Sequence, residues 1–180
     1  MKMGWGMKSS DLLATVTEAI GTDHLCDRCK HRNCEAALGD VTAHRKLFNA
    51  DAAMRKAGIT SKKCDCFLFL TGIPSQDLLF VPIELKSGKA TVGGVVEQIQ
   101  SSLDFVAARC SRVARNDWHK TKFVPLLVYR SSSSTRQFVQ FRQRSVKFLG
   151  RESIVHFVKS GDARGLASKL PDDFRRIRAS

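Results

Sequence analysis

Two apolar runs dominate the hydrophobic pattern of the chain: "CDCFLFL" (residues 64–70) and "LLFVPIEL" (78–85). Between them lies "TGIPSQD", whose Gly, Pro and Asp are turn residues, so the pattern predicts an antiparallel strand pair. Pro82 has no N–H to give to a ladder and is expected at a bulge or an unpaired position. Upstream, "SSDLLATVTEAIG" predicts a short helix. Ser9 or Ser10 caps it, Leu12, Leu13, Val16, Ala19 and Ile20 form its apolar stripe, and Gly21 stops it. Residues 22–40, "TDHLCDRCKHRNCEAALGD", break the pattern: they are polar and rich in Cys and His, and read as a loop or a small knob. "AHRKLFNADA" suggests a short strand. Beyond the loop "SGKATVGG", a long helix is predicted over about 91–111, burying Val92, Val95, Val96, Ile99, Leu103 and Val106. "FVPLLVYR" suits a strand covered on both faces. "SSSSTRQ" reads as a linker, "VKFLG" and "IVHFV" as a late hairpin or edge strands, and "DDFRRIRAS" as a basic tail that frays. No internal repeat is visible, and the order of elements predicts one mixed α/β domain over residues 1–180.

The two runs carry residues that strands bury reluctantly: Asp65, Glu84 and Lys86. Residues i and i+2 of a strand share a face, so Glu84 and Lys86 point the same way and Leu85 the other. Asp65 lies on the neighbouring strand, where cross-strand side chains meet, with Cys64 and Cys66 expected on the opposite face. Two carboxylates this close repel unless a cation joins them, and a hard divalent ion such as Mg²⁺ or Mn²⁺ takes oxygen ligands. An amine beside such an ion is the equipment for hydrolysing a phosphodiester. The plain structural alternative is a Glu84–Lys86 ion pair at a sheet end.

The pattern Asp65, then Glu84-Leu85-Lys86, then Gln98 on the following helix resembles the PD-(D/E)XK nuclease superfamily. The wider string "KCDCFLF", "VPIELKSG" and "VVEQIQ" is similar to a group of small bacterial proteins of that superfamily. The motifs span residues 62–103, and the order of elements extends the resemblance to about residue 130. What the resemblance implies is a restriction-endonuclease-like core, a central mixed sheet flanked by helices. It also implies Mg²⁺- or Mn²⁺-dependent cleavage of DNA or, less often, RNA, and a place in bacterial defence or mobile-element biology. Asp65, Glu84 and the backbone carbonyl of Leu85 would be metal ligands, Lys86 an electrostatic stabiliser, and Gln98 a residue orienting Lys86 or the attacking water. Cys64 stands where the family has its proline. Many members add an acid from the first helix. Glu18 is the nominal match, with Glu35, Asp40 and Asp51 competing for the role.

The 30 Lys and Arg outnumber the 17 Asp and Glu, a formal charge of +13 that favours a polyanionic partner. Beside a phosphodiesterase centre, Lys62, Lys63 and Lys89 would contact phosphates flanking the scissile bond, positioning the substrate without reading its sequence. Trp5, Trp118 and Tyr129 are candidates for stacking on bases or for core packing. No apolar run is long enough to span a membrane, and the N-terminus lacks the apolar centre of a signal peptide. A cytoplasmic protein is therefore expected, its six cysteines thiols or metal ligands rather than disulfides. Cys26 and Cys29 form the chelating half of a tetrahedral zinc site, which Cys34 with a histidine (His24 and His31 are nearby) or with Cys64 or Cys66 would complete, so structural Zn²⁺, an iron–sulfur cluster and free thiols are the readings. The expected function is that of a metal-dependent nuclease with nucleic acid as partner, DNA before RNA, and no membrane. A homodimer is compatible with it. The rival from another class is a catalytically inactive nucleic-acid-binding or regulatory module on the same fold, and a third is an adaptor that uses the cysteine-rich knob.

Overall fold

The computed structural model describes residues 9–42, 44–72, 77–112, 121–130 and 135–175. Its frame is a mixed sheet. Strands β3 (Arg45–Asn49), β4 (Cys66–Thr71) and β5 (Leu78–Lys86) pair antiparallel in that order, β3 with β4 and β4 with β5. Strands β7 (Leu126–Tyr129) and β10 (His156–Lys159) continue the sheet in parallel, in the order β10-β7-β5-β4-β3. The two-residue β6 (Lys122–Phe123) pairs with the start of β5. The two apolar runs thus form the predicted antiparallel pair at the centre of the sheet.

Pro82 is accommodated as its chemistry demands. Phe80 pairs with Phe123 and Ile83 with Leu126, so Pro82 falls opposite Pro125, in the gap between β6 and β7. Neither residue has an N–H to leave unpaired there. Alternation along the strands splits the core in two. Phe67, Phe69, Phe80 and Leu127 face one side; Leu68, Leu70, Val81, Ile83 and Val128 face the other.

The first side is covered by helices α1 (Ser9–Ile20) and α3 (Val92–Cys110). Leu12, Leu13, Val16 and Ile20 of α1 are buried, as are Val95, Ile99, Leu103 and Val106 of α3, which reproduces both predicted stripes. Gly21 ends α1 at φ 109°, a conformation that favours glycine. The side chains of Ser9 and Ser10, with Trp5 and Trp118, lie outside the described residues.

Several expectations are corrected. Residues 22–40 form ordered structure: a 3₁₀ turn (Thr22–His24) and a hairpin of β1 (Cys29–His31) and β2 (Cys34–Ala36). Cys29, Cys34 and Ala36 turn inward onto the second side of the sheet, which lets a segment poor in large apolar residues order itself. A helix α2 (Ala50–Lys56) follows β3, and α4 (Thr135–Arg142) occupies part of the stretch read as a linker. The late hairpin is β8 (Ser145–Phe148) with β9 (Arg151–Ile154), while His156–Lys159 becomes an edge strand of the main sheet. A short α5 (Ala163–Ser168) precedes a tail that is anchored as far as Arg175, with Phe174 fully buried. Among the described residues no helix is long and apolar enough to cross a membrane.

Candidate active site

The acids meet where the β4–β5 ladder stops. The last regular pair is Cys66 with Ile83, yet the Asp65 N–H donates to the Ile83 carbonyl at 3.0 Å, one step out of register. The bend at Asp65 has a visible consequence. Cys64 belongs to the core under α3 and Cys66 to the opposite core, although residues two apart in a regular strand share a face. The expectation that both cysteines turn away from Asp65 on one face is therefore corrected. The Asp65 carboxylate accepts from the Leu85 N–H at 2.8 Å, which ties it to β5 directly beside Glu84. The Leu85 carbonyl leaves the same edge of the strand as that N–H, past the end of the ladder.

Glu84 is the unusual group. Its side chain is 1% exposed, and Oε1 pairs with the Lys86 ammonium. Oε2 is buried and has no hydrogen-bond partner among the described residues. Burial first, then the charge of Asp65, pushes the Glu84 carboxyl up to about 8, against the pull of Lys86. A buried carboxyl facing a second acid is costly to ionise, and with its proton retained Glu84 can share it with Asp65.

Lys86 is held from two sides. Besides Glu84, its ammonium donates to Gln98 Oε1 at 3.1 Å. The Gln98 amide in turn donates to the Lys63 carbonyl at 3.2 Å, clamping the middle of α3 to the segment before β4. Asp65, Glu84 and Lys86 of β5, and Gln98 of α3 are thus brought together.

A cavity of about 380 Å³ opens beside Asp65, lined by Cys26, Arg28, Lys30, His31, Asn49, Asp51, Lys63 and residues 64–66; Glu84, Lys86 and Gln98 lie behind Asp65 and do not line it. Asp51, from the first turn of α2, holds the Lys63 ammonium at 3.2 Å with one oxygen and pairs with Arg55 through the other. His31 Nδ1, on the hairpin, stands 3.5 Å from Asp65 Oδ1. Asn49 caps α2 by accepting from the Ala52 N–H at 2.9 Å.

The remaining site predictions divide. Glu18 is exposed on α1 and does not line the cavity, because its helical position points away from the core stripe; among the competing acids it is Asp51 that reaches the wall. Lys62 is exposed and paired with Glu97 at 2.7 Å, and Lys89 is exposed on the loop after β5. Tyr129 packs edge-on against Phe138. The cysteine trio is not a ligand set in this structure: Cys29 forms a disulfide with Cys66, against the expectation of reduced cysteines. Cys34 is buried, with its thiol 3.4 Å from the Val128 carbonyl, and Cys26 is half-buried; burial raises both thiols above their ordinary value. Among the described residues no three side chains of His, Cys, Asp or Glu converge as a metal-binding group.

Sequence reasoning missed His31 as a neighbour of Asp65 and left Asp51 undecided. Both arrive from other elements, and nothing local in the sequence marks them. Compared with protein-family models, with curated proteins and with solved structures, the chain matches none.

Proposed function

We propose that this protein is a metal-dependent nuclease that hydrolyses phosphodiester bonds of nucleic acid, DNA in preference to RNA, on a restriction-endonuclease-like core. The observation that carries the reading is Glu84, a buried carboxylate with one unpartnered oxygen, set beside Asp65 and the ammonium of Lys86. An oxygen donor set of this kind fits Mg²⁺ or Mn²⁺, and Asp65, Glu84 and the Leu85 carbonyl would hold the ion. When bound, such an ion supplies Lewis acidity and a more acidic water.

The chain's own residues supply the rest. Lys86 places a full positive charge at the mouth of β5, where negative charge would grow on the phosphoryl oxygens as water adds. Its pairing with Glu84 and Gln98 fixes that charge before substrate arrives, so little reorganisation is needed during the reaction. An ammonium so engaged acts as an electrostatic stabiliser rather than as a base. Asp51, by holding Lys63, keeps a second cation at the cavity wall.

The test is cleavage by chelator-stripped protein of plasmid, linear duplex, single-stranded DNA and RNA, each with Mg²⁺ or Mn²⁺. Cleavage is expected with metal and not with chelator, and Lys86→Met should lower turnover by about 10²–10³-fold. Folded protein that cuts none of these substrates with either metal returns the reading to a binding or regulatory module.

A further inference from the structure

We propose that the β1–β2 hairpin is the phosphate-gripping wall of the candidate active site, with Arg28 and Lys30 meeting the sugar–phosphate backbone of nucleic acid beside the acidic centre. The inference rests on the nuclease reading for the identity of the ligand and replaces its simplest assignment of phosphate contacts. Of the lysines that the sequence nominates, Lys62 pairs with Glu97, Lys63 with Asp51 and Lys86 with Glu84, while Lys89 is exposed on the loop after β5 and does not line the cavity. Arg28 and Lys30 line the same cavity, are exposed, and have no ion-pair partner among the described residues. Lys30 stands across the hairpin from Glu35 in register, yet no ion pair joins them.

The charge balance of the cavity calls for such groups. Asp51 and Asp65 line the place where a polyanion would approach, with Glu84 buried behind Asp65, and like charges at a few ångströms repel strongly in a partly buried site. A divalent ion offsets part of that field. Arg28 and Lys30, on the facing wall, would offset more and would meet the phosphates on either side of the one under attack.

The hairpin is also held firmly enough to present these groups in place. The Cys29–Cys66 disulfide ties its first strand to the residue next to Asp65. The Glu35 N–H donates to Ser160 Oγ at 2.9 Å, the Gly161 N–H donates to the Glu35 carbonyl at 3.1 Å, and the Cys26 N–H donates to the Leu47 carbonyl at 2.9 Å. At the tip, Arg32 takes φ 53°, a left-handed position where glycine is favoured, and a third cation stands there instead.

The test is binding of fluorescein-labelled 20-mer oligonucleotides, duplex and single-stranded, followed by anisotropy in chelator across a range of salt. Arg28→Glu/Lys30→Glu is compared with Arg109→Glu/Arg112→Glu, the same charge change at the far end of α3. The hairpin variant is expected to weaken binding at least about tenfold more than the control and to flatten the log–log salt slope by about 2, at roughly 0.9 per phosphate contact on duplex. Arg28→Gln/Lys30→Gln, which adds no acid, should flatten it equally, and melting curves establish that each variant folds. Equal losses in hairpin and control variants would overturn the proposal. Binding in chelator is independent of turnover, so the two readings fail separately. A protein that never cuts but binds through the hairpin loses only the catalytic reading, and one that cuts while its hairpin variants bind like the control loses only this one.

Discussion

Glu84 concentrates the conflict between folding and function in one residue. Its carboxyl is buried, half-satisfied and raised to about 8, whereas in the unfolded chain it titrates near 4.5. A folded value above the unfolded one means that the unfolded chain releases its proton first. In metal-free protein the stability from this group is therefore full below about 4.5 and lost as pH rises to about 8, beyond which its effect is constant. Glu84→Gln has no such proton to lose. In chelator, the variant should melt progressively higher than the parent as pH rises from 5 to 8, and the gap should then stay level. Parallel thermal melts decide it. A variant that melts lower than the parent at pH 8 would make Glu84 a structural partner of Lys86 and nothing more. The presence of this residue was legible in the sequence, because an acid and an amine inside an apolar run break the burial rule. Its missing partner was not, since the one-step slip at Asp65 arises from where the two strands stop pairing.

At the scale of elements, α3 and the β1–β2 hairpin bring the site together from opposite sides. Gln98 joins them on the helix side through two hydrogen bonds, to Lys86 and to the Lys63 carbonyl. A side chain that acts by holding another typically matters 10–100-fold for activity. Gln98→Met should lower turnover by about that factor while leaving oligonucleotide affinity in chelator unchanged, and a fall in affinity instead would place Gln98 on the substrate. On the hairpin side the disulfide closes a loop of 37 residues, a separation for which chain entropy gives roughly 3–4 kcal/mol. Alkylation of unfolded protein without reductant should label four of the six cysteines, and Cys29→Ser/Cys66→Ser should melt markedly lower. Six labelled cysteines would remove the staple. The long periodic helix α3 and the two apolar strands were readable because each extends over enough residues to show its period. The seven-residue α2 and eight-residue α4 are too short for that, and α2 is signalled mainly by the Asn49 cap. The hairpin was hidden for a different reason: its inward residues are cysteines and an alanine, a pattern that suits a metal knob equally well.

Across the whole molecule, a mixed sheet with helices on one side and a stapled hairpin on the other carries its acids at the end of the central strand pair. The chain as a whole carries a formal charge of +13. That arrangement suits a polyanion drawn in by long-range attraction and met locally by a cation-dependent centre. The mixed α/β architecture followed from the order of periodic segments. The grouping of Asp51, Lys63 and His31 around Asp65 did not, because long-range packing decides it and single-sequence periodicity carries no trace of it. On the proposed function, Asp65 and Glu84 form a site whose internal repulsion a divalent cation relieves. The most direct measurement is the melting temperature of chelator-stripped protein with and without Mn²⁺, for the parent and for Glu84→Gln, at pH 8. At about a hundredfold excess over its dissociation constant, a ligand of the folded state adds about 2.7 kcal/mol, or roughly 5–10 °C for a chain of this size. A rise of that order is expected in the parent and little or none in Glu84→Gln, which starts higher without metal. No rise in the parent, or an equal rise in both proteins, would contradict it.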